Sequence, residues 1–70
     1  MTKTYRNPPS NCDICHAPIT NMFVDGATTA GPWGNMCWPK CYAKYGQGLG
    51  TGKGQKYEKQ PNGTFLKTAG

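Results

Sequence analysis

Residues 12–41 read CDICHAPITNMFVDGATTAGPWGNMCWPKC, and the four cysteines in this stretch decide the fold. Cys12 and Cys15 are separated by two residues, Cys37 and Cys41 by three, and twenty-one residues lie between the pairs. Tetrahedral zinc takes four thiolates at about 2.3 Å, and two close pairs on separate elements supply them with little strain. Cys12-Asp13-Ile14-Cys15 followed by His16-Ala17-Pro18 has the form of a zinc knuckle, a tight turn whose backbone N–H groups point at sulfur. Residues four apart share one face of a helix, so Cys37 and Cys41 can reach the same ion across a first helical turn.

Working outward, residues 19–24 are β-branched and aromatic enough for a short strand. Asp25-Gly26 reads as a two-residue hairpin turn, because both residues tolerate positive φ. A return strand is expected at residues 27–29, a bend at Gly31-Pro32, and another extended piece at residues 33–36. Pro39 suits the first turn of a helix, where its missing N–H costs nothing. That helix is expected over residues 38–45, with Gly46 ending it in a left-handed conformation. Knuckle, hairpin and ligand-bearing helix make a treble-clef-like zinc finger over residues 12–46, a small zinc-stabilised α+β fold.

Glycine then occupies positions 46, 48, 50, 52 and 54, every second residue of GQGLGTGKG. In an extended chain alternate residues share a face, so one face would be bare backbone, suited to close approach by another surface; the same composition also serves as a linker. Gly48, Leu49, Gly50, Gly52, Lys53 and Lys56 are the candidate partner-binding residues of this strip. Residues 47–70 form this Gly-rich segment and a tail, in which Pro61-Asn62-Gly63 is a hairpin turn between residues 56–60 and 64–67. Residues 1–11 are polar and carry Pro8-Pro9, which reads as an extended N-terminal arm.

Seventy residues is one domain, and at this size the core needs a metal, disulfides or a partner surface. No apolar stretch with a small-residue cleavage site precedes residue 20 and none approaches a membrane span. The expected setting is therefore not secreted, with no membrane partner, and a reducing compartment favours metal over disulfides. Iron–sulfur clusters use the same ligands, but a structural Zn²⁺ is the expected cofactor. The formal charge is +5; four thiolates and one divalent ion contribute a net charge of about −2, leaving about +3. That bias suits an acidic protein surface or nucleic acid and compels neither.

With four thiolates the ion has no position for water, so zinc catalysis is disfavoured. The three acids, Asp13, Asp25 and Glu58, form no evident pair. The reading is not an enzyme, with no small-molecule substrate. A phosphate-binding loop ending at Gly52-Lys53 is excluded, since it requires Gly at 47 and Ser or Thr at 54, where Gln47 and Gly54 stand. His16 is a ligand only if it displaces Cys15; otherwise it donates to a sulfur or is solvated. Phe23 and Trp33 are expected in the core, whereas Trp38 and Tyr42 are divided between core and base stacking. Lys40, Lys44, Lys53, Lys56 and Lys59 could form a basic face, though scattered lysines are usually solvated. Asn62-Gly63-Thr64 fits a glycosylation sequon but, without export, is a turn.

The stretch from Cys12 to Lys59 resembles a group of small, mostly uncharacterised proteins encoded by tailed bacteriophages. CDIC, FVDG, GPWGNMC with Cys41 following, and YGQGLGTGKGQKYEK carry the resemblance. It implies a phage product acting in the bacterial host cytoplasm or carried in the phage particle. The expected function is a structural docking module, a minor component of the virion that binds a larger protein assembly of phage or host. A nucleic-acid-binding zinc finger and a small inhibitor of a host protein are the alternatives.

Overall fold

A computed structural model of the chain describes residues 5–6 and 9–70. The rest of the expected arm, residues 1–4 and 7–8, lies outside the described residues. The elements are β1 (Tyr5–Arg6), β2 (Met22–Ala27), β3 (Trp33–Cys37), α1 (Lys40–Tyr45), β4 (Gly54–Lys59) and β5 (Phe65–Ala69). All the strands join one antiparallel sheet in the order β1-β5-β4-β2-β3. The stretch C-terminal to the cysteines therefore supplies β2 with its second neighbour, β4.

The hairpin turn is not at Asp25-Gly26. Both residues lie inside β2, paired with Asn35 and Gly34 on one side and with Gln55 and Gly54 on the other. Gly26 is required by closeness rather than by a turn: a Cβ there would stand 2.7 Å from the Lys53 carbonyl oxygen and 2.8 Å from the Gly54 Cα. The turn falls at residues 28–32. Thr28 donates from its N–H and its Oγ1 to the Pro32 carbonyl, at 3.2 and 2.7 Å, and Gly31 takes the positive φ of 113°. The expected return strand at 27–29 is thus the end of β2 and the start of this turn.

Helix α1 starts at Lys40, with Pro39 in the capping position and the Pro39 carbonyl accepting from Ala43 N–H at 2.8 Å. Gly46 does not end it in a left-handed conformation. Its φ of −73° and ψ of 153° are extended, and its N–H still closes the helix on Tyr42. Glycine is needed there because a Cβ would collide with the Tyr42 ring.

The alternating glycines do not make an extended strip. Gly48, Gly50 and Gly52 have φ values of 109°, 127° and 78°, so the chain curls into a turn in which the Gly50 carbonyl accepts from both Lys53 and Gly54. Extended geometry resumes only at Gly54. The hairpin at Pro61-Asn62-Gly63 forms as expected, with Gln60 N–H bonded to the Thr64 carbonyl and the Asn62 side chain accepting from Thr64 N–H and Oγ1.

Side chains alternate across the strands, and two apolar clusters result. Cys12, Val24, Met36 and Cys41 are buried together, with Ile14, Trp38, Tyr42, Tyr45 and Leu49 packed against them. Phe23, Tyr57 and Phe65 form the second cluster, Phe23 stacking on Tyr57 at 5.1 Å between ring centroids. Phe23 is fully buried as expected, but Trp33 is 51 % exposed and is not core.

Candidate metal centre

The ligand-bearing segments are positioned by bonds that start at the knuckle. Cys12 N–H donates to the Ala17 carbonyl and His16 N–H to the Cys12 carbonyl, while Ile19 N–H reaches the Ser10 carbonyl. These close a small loop in which His16 takes the left-handed φ of 65°. Asp13 fastens that loop to β3 from both ends: its N–H donates to the Asn35 carbonyl, and its Oδ2 accepts from Asn35 N–H, each at 2.8 Å. The clamp fixes Cys12 and Cys15 relative to Cys37 at the end of β3, and α1 then returns Cys41 to the same place.

The four Sγ atoms all lie within 4.8 Å of one another, and none is in a disulfide. Sulfurs at about 2.3 Å around a tetrahedral ion are separated by about 3.8 Å. The Cys15 and Cys37 sulfurs are 3.8 Å apart. The donor set and its spacing therefore fit one ion, and among the described residues this is the one group of three or more His, Cys, Asp or Glu side chains so arranged. Cys12 and Cys41 are buried, whereas Cys15 and Cys37 are half-buried.

The surroundings are built for charged sulfur. Ile14 and Cys37 donate their backbone N–H groups to the Cys12 Sγ at 3.4 and 3.3 Å, the knuckle pattern expected from the sequence. Burial opposes a charge on Cys12, but N–H groups of Cys15, Cys37 and Ile14 and the Cys41 thiol outweigh it, lowering the pKa from 9.0 to about 6. Burial raises Cys37 above its usual value. Cys41 is pushed up to about 12, first by burial and then by the neighbouring sulfurs and the charge of Cys12. Without a metal the cluster thus concentrates its negative charge on Cys12, the state expected when several thiols share a space that one cation would neutralise.

All four predicted ligands come together. His16 does not join them; its imidazole is exposed and its backbone serves the loop. Trp38 and Tyr42 stack on each other at 5.0 Å beside the cluster, and the Lys56 Nζ sits over the Trp38 ring at 4.0 Å. Lys56 also lies 3.8 Å from the Glu58 carboxylate, and Leu49 packs on the core, so these two residues of the glycine-rich stretch work inside the fold. Lys53 is exposed. Asp13 is the residue that sequence reasoning missed; its position between two ligands was the available signal. No candidate membrane-spanning helix occurs among the described residues. No protein-family model matches the chain, and neither a curated protein nor a solved structure matches it.

Proposed function

We propose that this chain is a non-enzymatic docking module whose fold is held by one structural Zn²⁺ bound to Cys12, Cys15, Cys37 and Cys41. The convergence of four sulfurs within 4.8 Å of one another, one pair at 3.8 Å, carries the metal part of this reading. In this reading the order of knuckle, β2–β3 hairpin and α1 is that of a treble-clef-like finger. Four thiolates complete the coordination sphere, so the ion organises the chain and leaves no position for a reacting water.

The docking part is supported by the place of the half-exposed Trp33, on the outer strand β3 of the sheet. The partner is a larger protein assembly, of a phage or its host, met in the bacterial cytoplasm or in the particle. Base stacking is the weaker reading, because Lys56 occupies a face of Trp38 and Lys44 stands 5.5 Å from the Tyr45 ring centre.

The first test is elemental analysis and cobalt substitution of the purified chain. One metal per chain with the spectrum of a tetrahedral tetrathiolate is expected; metal-free, folded protein overturns the zinc reading. The second is a pull-down from cells, with and without nuclease. Recovery of the same protein assembly in both arms is expected, and recovery that disappears with nuclease moves the reading to nucleic acid.

A further inference from the structure

Strand β3 is an outer strand of the sheet. In an antiparallel ladder, alternate residues turn their N–H and C=O groups toward and away from the neighbouring strand. The bonds around β3 fix the phase of this alternation. Thr28 N–H bonds to the Pro32 carbonyl, while Ala27 N–H turns the other way, to the Lys53 carbonyl at 2.8 Å. Ala27, which pairs with Trp33, therefore faces away from β3. At the opposite end Asn35 exchanges its two bonds with Asp13, and Cys37 N–H goes to the Cys12 sulfur. The outward-facing residues of β3 are thus 33, 35 and 37, and the knuckle covers the last two.

That leaves Trp33 with its N–H and C=O directed off the edge of the sheet, and among the described residues nothing bonds to them. The same residue carries the exposed large hydrophobic side chain. Two independent observations, one on backbone polarity and one on apolar exposure, meet at a single position. An unpaired N–H and C=O on a sheet edge can template a strand from another chain.

We propose that Trp33 is the docking point for an extended, acidic segment of a partner protein, which pairs antiparallel with β3 at this residue and lays a side chain on the indole. The proposal rests on the docking reading above and deepens it. An extended occupant is required because an outward N–H and C=O of one residue are met together by a strand. An acidic one is favoured by charge: with four thiolates and the zinc ion counted the chain still carries about +3, and Glu58 is paired with Lys56. Lys40, Lys44, Lys53 and Lys59 remain exposed. The knuckle, bonded along Asn35, also limits the register, so the added strand extends from Trp33 toward the 28–32 turn. A second copy of this chain brings the same positive charge.

The test uses the full zinc-loaded chain, ¹⁵N-labelled, titrated with short synthetic peptides that alternate Glu with Val or Thr, and with a Lys-for-Glu set. Binding of the acidic set is expected to shift the Trp33 amide and indole resonances and to slow exchange of the Trp33 amide roughly tenfold or more, while the basic set leaves them unchanged. Trp33→Ala is expected to weaken binding roughly tenfold, the loss typical of a central aromatic anchor, with zinc content and melting temperature retained. Shifts centred elsewhere, equal binding by Trp33→Ala, no binding by the acidic set, or concentration-dependent self-association through Trp33 each overturn the proposal. The pull-down separates the two levels. A partner recovered equally by wild type and Trp33→Ala rejects this surface and keeps the docking module, whereas a wild-type chain that recovers no protein rejects both.

Discussion

At Gly26 the backbones of β2 and β4 come so close that a single carbon has nowhere to go. The atoms it would meet belong to the Lys53 and Gly54 backbone, not to a movable side-chain end. We expect Gly26→Ala to lower stability by about 3 kcal/mol, the upper range of overpacking changes, read as the shift in urea midpoint of the zinc-loaded protein. A shift within 0.5 kcal/mol, as at ordinary surface sites, would show that the strands can part. The cysteines make a second residue-level prediction. Cys37 and Cys41 have raised pKa values, the latter to about 12, and so carry protons at neutral pH that metal binding must displace. Cys12, lowered to about 6, is a thiolate at neutrality and takes up its proton only as the pH falls through that value. Zinc affinity should therefore rise with pH throughout, and more steeply below about pH 6; a competition titration with a chromophoric chelator checks this, and a flat profile contradicts it. The ligands were legible because spacing alone brings such pairs together. The exposure of Trp33 was not, since its aromatic character argues for the core and only the strand order shows that it stands at an edge.

Among the elements, the knuckle and β3 behave as one unit because Asp13 ties them from both its backbone and its side chain. Asp13→Ala removes the carboxylate acceptor and leaves Asn35 N–H to water. We expect a loss of about 1–2 kcal/mol together with weaker zinc retention, measured by urea unfolding and chelator competition on the same samples. Unchanged stability and unchanged zinc retention would show that the ion alone fixes the two segments. Much of the element order could be read in advance. The knuckle, the extended piece at residues 33–36, the helix carrying Cys41 and the Pro61-Asn62-Gly63 turn all have local signals strong enough to act by themselves. The Asp25-Gly26 turn failed because its glycine answers a demand from β4, which lies far along the sequence. The alternating glycines failed for a related reason: their spacing suits one bare face, but their positive φ values fold the segment into a turn.

For the whole molecule the question is what holds seventy residues in place. A core of this size supplies roughly 3–5 kcal/mol, whereas a structural zinc contributes on the order of 10 kcal/mol. Chelation at neutral pH should therefore unfold the chain cooperatively, and Cys41→Ser should do the same without chelator; far-UV circular dichroism that survives metal removal contradicts both. The grounds for expecting that dependence were legible in composition, with its four cysteines and scarce aliphatics. That all the strands would share one sheet was not, because the pairing of β2 with β4 spans the whole ligand-bearing helix. This pairing has a consequence for synthesis. All four thiols precede β4 in the chain, so a ribosome releases a complete set of metal ligands while one flank of the central strand is still bare. Metal capture and the closing of the sheet are then separate events in time. An interval exists in which the nascent chain offers Val24 and its neighbours to any passing strand, and it ends when residues 54–59 emerge to take that place.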